Sequence, residues 1–328
     1  MIELINNPYI LLLLGLIILV LGGEILVRNA SGLALKAKIA PLTVGLTVVA
    51  IGTSTPELFA SMQAAWSGSA GIAVGNVVGS NIANLGLALG LTAIVRPFSV
   101  DKALLKLDWP LLMLITVLFG ALALDGIYSR VDGVILLSGV AVYMFLQIAR
   151  NRRIKRLAND QGQTSIKDSD DLTEFKNIAI RGYAELVLYI IIGCVLLYYG
   201  ANYFIGGAST LALNLGVREH IIGVTVVAFG TSVPEIVASL TAALKGQSEL
   251  SIGNLIGSNV MNILLVLGAS SVISDISVDT ELLAWDFWWM LGTTALLYPI
   301  LTIGKKVSRI HGAIYLVCYI VYVWLALG

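Results

Sequence analysis

Histidine and cysteine are nearly absent: the 328 residues contain two of each. His220 and His311 flank apolar runs and share no ligand spacing, and Cys194 and Cys318 both lie inside apolar runs. Neither a disulfide framework nor an imidazole- or thiolate-based metal centre is expected. There is no H-E-x-x-H pattern, and neither histidine lies near the motifs described below, which argues against an intramembrane hydrolase. Charge is also scarce. Asp, Glu, Lys and Arg make up 12% of the chain, about half of the roughly 25% usual in soluble domains. The basic and acidic residues balance to a net charge of zero, so no nucleic-acid partner is expected.

What remains is apolar. Hydrophobic residues make up 58% of the sequence, and the mean hydropathy is +0.91. This is the composition of a polytopic membrane protein. The N-terminal stretch MIELINNPYILLLLGLIILVLGGEILVRNA lacks a basic leader region and an A-x-A cleavage site. It reads as a first spanning helix rather than a signal peptide. Ten spans are expected, near 8–28, 42–66, 71–95, 107–125, 131–150, 183–206, 220–243, 250–273, 285–303 and 309–327. The second, third, seventh and eighth are rich in Gly, Ser, Thr and Asn, and such helices persist where protein rather than lipid surrounds them.

Ten spans place alternate loops on opposite sides. Every Lys and Arg except Arg130 and Arg218 falls in one set of loops. By the positive-inside rule that set is cytoplasmic, which leaves both termini outside. The one long polar stretch, 151–181, becomes a cytoplasmic linker between a first half, 1–150, and a second, 182–328. The expected location is the cell (inner) membrane.

The two halves repeat. AIGTSTPELFAS at 50–61 returns as AFGTSVPEIVAS at 228–239, an offset of 178. Gly75-Asn76, Gly79-Ser80-Asn81 and Asn84 recur as Gly253-Asn254, Gly257-Ser258-Asn259 and Asn262, and the match runs ungapped to Gly90 and Gly268. With five helices per half, the second half enters the membrane in the opposite sense. The expected fold is therefore an all-α polytopic membrane protein with ten transmembrane helices in two inverted five-helix repeats. Inverted repeats with Gly- and Pro-interrupted helices in matching positions mark secondary transporters.

The motifs carry oxygen chemistry. Thr53 and Glu57 are four apart on one helix face, with Ser54 one step around. Pro56 removes an N–H donor and crowds its turn, which loosens nearby carbonyls. Ser80 and Asn84 share a face of the next helix, and small residues four apart would bring them beside Glu57. Thr231, Ser232, Glu235, Ser258 and Asn262 repeat the set. An acid at the bilayer centre costs about 3 kcal/mol on insertion scales, so a symmetric pair points to function. An all-oxygen set with two carboxylates suits hard cations such as Ca²⁺ and Na⁺, and Mg²⁺ less well. Asn76, Asn81, Asn254 and Asn259 read as interhelical glue, Glu24 and Arg28 as a surface pair, and Asp125 and Asp132 as solvated residues at span ends.

GTSTPE with GNVVGSNIANLGLALG, and GTSVPE with GNLIGSNVMNILLVLG, resemble the two alpha repeats of the calcium/cation antiporter superfamily, in its compact prokaryotic sodium/calcium exchanger branch. The resemblance implies ions held between the second, third, seventh and eighth helices. It implies Glu57 and Glu235 as main ligands, with Thr53, Ser54, Thr231, Ser232, Ser80, Ser258, Asn84 and Asn262 beside them and the carbonyls of Ala50 and Ala228 contributing. Potassium-dependent relatives carry Asp where this chain has Asn262, so the match leans toward potassium-independent exchange. The expected activity is Ca²⁺/Na⁺ antiport by a monomer in the lipid bilayer, with no cofactor. H⁺ remains open as the coupling ion, because an acid in an apolar cavity can carry a proton. A passive cation channel is the alternative from another class.

Overall fold

The computed structural model describes residues 7–68, 71–99, 104–160, 178–215, 228–279, 282–304 and 306–327. It is helical nearly throughout: α1 (Pro8–Ala37), α2 (Pro41–Thr53), α3 (Thr55–Trp66), α4 (Gly71–Val95), α5 (Leu104–Leu122), α6 (Arg130–Asp160), α7 (Tyr183–Asn214), α8 (Ala228–Thr231), α9 (Val233–Leu244), α10 (Ser248–Ile273), α11 (Phe287–Gly304) and α12 (Arg309–Leu327). Among the described residues, seven helices are long and apolar enough to cross a membrane, or eight if the bent pair α2–α3 counts as one span. Residues 216–227, which include His220 and the start of the expected seventh span, and 161–177 of the expected linker lie outside the described residues. The helix expected to end near 150 continues through Asp160, so the start of that linker is helical.

The polar, glycine-rich helices occupy the centre. In α4 and α10, 83% and 78% of the apolar window is buried within the protein, against 11–39% for the other spanning helices. The outer faces of α1, α6, α7 and α12 expose Leu, Ile, Val and Phe side chains, as lipid-facing helices require. The main apolar core gathers around α2, α4, α5, α10 and α11, and a second links α1, α7 and α9.

The repeat continues past the end of the sequence match. Both motif helices break at a serine, Ser54 (φ −81°, ψ 4°) and Ser232 (φ −87°, ψ 0°). The central helices both pass through a π-helical turn, Asn84–Leu89 and Asn262–Leu267. Two short strands follow at the same offset: β1 (Phe98–Ser99) and, after β2 (Ile127–Tyr128), β3 (Ile276–Ser277). β1 pairs antiparallel with β4 (Lys306–Val307), and β2 with β3. Each pairing ties a loop of one half to a loop of the other.

α2 crosses α10 at backbone contact. A Cβ on Gly45 would lie 2.5 Å from the carbonyl oxygen of Leu250, and one on Gly253 would lie 2.6 Å from that of Leu42. Only glycine permits this approach, because carbonyl oxygens cannot swing aside as side chains do. Gly86 and Gly90, by contrast, pack on Tyr319 and Gly312 of α12 rather than on the motif helix. Gly253→Val should therefore force α2 off α10 and cost about 1–3 kcal/mol as an overpacking substitution, read as a lowered unfolding temperature in detergent. Gly292→Val, at a position with open space around it, should leave that temperature nearly unchanged.

Candidate cation site

The site begins with the two helix breaks. Pro56 and Pro234 stand in the first turn of α3 and α9, where a missing N–H costs nothing. The chain bends by 43° between α2 and α3. Each break places an acid, Glu57 or Glu235, in the first turn of the restarted helix, where an acid suits the helix dipole. Ser54 and Glu57, like Ser232 and Glu235, have the spacing of a capping box. Neither serine caps its helix. Ser54 instead reaches across to the other half, where its Oγ donates to Glu235 Oε1 at 3.1 Å.

Side chains from both halves converge around the acids. Glu57 and Glu235 are 1% and 0% exposed, and the Ser54 bond brings the second acid against the break that Glu57 follows. Ser258 Oγ lies 3.5 Å from Glu235 Oε1. Thr53 Oγ1 donates to Asn254 Oδ1 at 3.1 Å and lies 3.3 Å from Ser258 Oγ. Thr231 Oγ1 mirrors it by donating to Asn76 Oδ1 at 3.2 Å. Each threonine thus bonds an asparagine of the opposite half. Asn84 Nδ2 donates to Asn259 Oδ1 at 3.0 Å.

What is left unpaired defines the chemistry. Both Glu57 carboxylate oxygens, Glu235 Oε2, Ser80 Oγ, Ser232 Oγ, Asn84 Oδ1 and both polar atoms of Asn262 are buried with no hydrogen-bond partner among the described residues. Buried polar atoms are ordinarily paired, since an orphan costs about 1–3 kcal/mol or more. Here the orphans are mostly oxygens, and they belong to the helix breaks and the central helices of both repeats; Ser31, Thr43, Thr92 and Gln147 carry further orphaned oxygens outside these motif residues. Among the described residues no group of three or more His, Cys, Asp or Glu is positioned to hold a metal. The unpaired carboxylate, hydroxyl and amide oxygens are donors of the kind that hard cations take.

The family model described as sodium/calcium exchanger protein matches residues 7–149 and 185–328. The chain belongs to the sodium/calcium exchanger family. It is 31% identical to the sodium/calcium exchanger MaX1 of Methanosarcina acetivorans, over 96% of this chain and 97% of that protein. It is 36% identical to the inner membrane protein YrbG of Escherichia coli, over 86% and 84%. A solved structure of the sodium-calcium exchanger NCX_Mj matches with a TM-score of 0.80 and 31% identity, and covers 97% of both chains. The protein is a multi-pass membrane antiporter of sodium/calcium exchanger type and not an enzyme.

Packing across the two halves places the asparagine turns of this exchanger. Asn84 is fully buried. Its π-helical turn packs on α9, which carries Glu235, and the turn from Asn262 packs on α3, which carries Glu57. The carbonyl of Ala50, implied as a ligand by the family resemblance, accepts the N–H of Ser54 at 2.9 Å and lies 3.4 Å from Thr53 Oγ1. Ala228 opens α8 at the equivalent position. The expected glue residues do bridge helices: Asn81 Nδ2 and Asn259 Nδ2 each donate to the other's backbone carbonyl at 3.3 Å. His311 sits at the start of α12 and accepts from Ser308 N at 3.2 Å, while Glu24 pairs with Arg28 at 2.5 Å and with Lys245 at 2.8 Å. Asp132 accepts from Ser129 N and Oγ, so it braces the start of α6 rather than simply facing solvent.

Ser61 and Ser239 were missed. Ser61 Oγ accepts from Asn76 Nδ2, and Ser239 Oγ accepts from Asn254 Nδ2, both at 2.9 Å. These bonds orient the asparagines that hold Thr231 and Thr53. The signal was present, because the two serines close the repeated motif at the same offset of 178. Removing the cross-half donor by Ser54→Ala should destabilise the exchanger by about 1–3 kcal/mol, the usual cost of stripping a partner from a buried acid. Thr55→Ala loses only a bond to Ile51 within its own turn and should cost clearly less, with both read by thermal unfolding in detergent.

Proposed function

We propose that this exchanger moves Ca²⁺ in one direction and Na⁺ in the other, by exposing one central oxygen-lined site to each side of the cell membrane in turn. Ten spans in two inverted five-helix halves, 1–150 and 182–328, build the carrier. The linker 151–181 is cytoplasmic and both termini are outside. The chain acts as a monomer in lipid and needs no cofactor beyond its transported ions. Glu57 and Glu235 are the main ligands, with the hydroxyls of Thr53, Ser54, Ser80, Thr231, Ser232 and Ser258, the amides of Asn84 and Asn262, and the carbonyls of Ala50 and Ala228 completing the set.

The observation that carries this reading is the set of buried, unpaired oxygens on the motif helices, with two buried carboxylates supplied by opposite halves and linked through the Ser54–Glu235 bond. Two carboxylates can neutralise one divalent ion or two monovalent ions, so Ca²⁺ and Na⁺ compete for one place. That competition is what couples their fluxes. Asn262, in place of an acid, keeps the count at two and fits exchange without potassium.

An asymmetry supports alternating access. A cavity of 370 Å³, lined by residues including Pro56, Gln63, Asn202 and Thr231, reaches the Thr231 corner of the site. The equivalent corner at Thr53 and Asn254 is sealed, with both residues 1% exposed. In the orientation given by the loop charges, this cavity lies in the outer half. Two halves built on the same motif, one with a cavity at its threonine corner and the other buried there, fit a carrier resting on one side.

Purified protein in liposomes distinguishes the coupling ion. Ca²⁺ uptake should follow an outward Na⁺ gradient and should be lost in Glu57→Gln and Glu235→Gln, each of which should remain folded. Uptake driven by a pH gradient and indifferent to Na⁺ would assign proton coupling instead. Flux without any counter-gradient would indicate a channel.

A further inference from the structure

The orphaned oxygen of Asn84 has a cause that lies outside the cation site. An asparagine amide offers an oxygen on one side and an NH₂ on the other, and only the oxygen can ligate a cation. Which side faces the site is decided by neighbouring bonds. Here a short chain of bonds decides it. The backbone carbonyl of Asn81 can only accept, and it takes Asn259 Nδ2 at 3.3 Å. Asn259 must then turn its Oδ1 the other way, toward Asn84. That oxygen accepts Asn84 Nδ2 at 3.0 Å, which leaves Asn84 Oδ1 buried, unpaired and pointing away from Asn259. The π-helical turn that Asn84 begins packs on the helix of Glu235.

The second half has no such chain. Symmetry would have Asn262 Nδ2 donate to Asn81 Oδ1. No such bond is present: Asn81 Oδ1 and both polar atoms of Asn262 are unpaired among the described residues. The side chain of Asn81 instead donates to the carbonyl of Asn259 at 3.3 Å and approaches Met290 Sδ at 3.5 Å. One amide of the pair is held in a fixed sense, and the other is unpaired among the described residues.

We propose that Asn259 is a positioning residue for cation recognition: through the acceptor-only carbonyl of Asn81 it forces Asn84 to present oxygen, not NH₂, to the transported ion, while Asn262 is left to adapt. The proposal rests on the reading of Asn84 as a ligand. Asn259 itself touches no ion. Its effect passes through Asn84, so the two residues act as one unit.

A double-mutant cycle in reconstituted exchanger tests this, with KM for Ca²⁺ and kcat measured separately and unfolding temperature recorded for each variant. Asn84→Ala should raise KM for Ca²⁺ by about tenfold, the loss expected for one hydrogen-bond-strength contact to a charged group. Asn259→Leu should raise it by a similar factor, and the double variant should be no worse than either alone. Asn259→Ala carries the same cycle if the leucine variant does not fold. Asn81→Ala keeps the backbone carbonyl and should leave KM near the parent value. An unchanged KM in Asn84→Ala would remove Asn84 from the ligand set. A raised KM in Asn84→Ala with an unchanged KM in the Asn259 variants, or fully additive effects, would overturn the positioning role alone. An equal loss in Asn81→Ala would reduce the effect to packing at the crossing.

Discussion

Two carboxylates enclosed by protein at the core of a membrane exchanger are the constraint on which the rest of this structure depends. An unpaired buried charge is costly, and two of like sign in one place cost more. The protein surrounds them with hydroxyl and amide groups drawn from both halves. Ser54 donates across to Glu235, Thr53 to Asn254, and Thr231 to Asn76. These cross-half bonds demand that α2 and α10 meet at backbone distance, which explains glycine at 45 and 253. They also require central helices shielded from lipid, as the deep burial of α4 and α10 provides.

The helix breaks follow from the same constraint. A continuous helix would carry Glu57 on a regular lattice of satisfied backbone groups, with no room to redirect its serine. Restarting the helix at Thr55 and Val233 turns the would-be capping serines toward the centre. The two halves use identical devices at a constant offset, yet they do not end in identical states. One corner opens to a cavity while its counterpart is sealed, and one amide is fixed while its counterpart is unpaired. Near-symmetry of sequence with asymmetry of conformation is what a two-state carrier requires.

Much of this was legible in the sequence because the motifs are duplicated. A single GTS-x-PE does not distinguish a ligand from a packing residue, whereas Glu57 and Glu235 at matching positions point to a shared role, and the structure buries both. Helix placement was readable from apolar runs, since lipid-facing faces must be apolar. Other features were hidden for physical reasons. Sequence spacing describes one helix at a time, so it could not show that the π-helical turn begun by Asn84 packs on the helix that carries the other half's acid, Glu235. The two-residue strand pairs between loops leave no pattern in composition, because any extended dipeptide can form them.

The central claim is that the two acids hold one divalent cation that Na⁺ displaces. Equilibrium dialysis of ⁴⁵Ca²⁺ against the purified protein tests this most directly, with Na⁺ titrated at constant ionic strength and choline as the control cation. The account predicts one Ca²⁺ bound per chain, released by Na⁺ with a Hill coefficient above one and retained in choline. Bound Ca²⁺ that is indifferent to Na⁺, or released equally by choline, would contradict it.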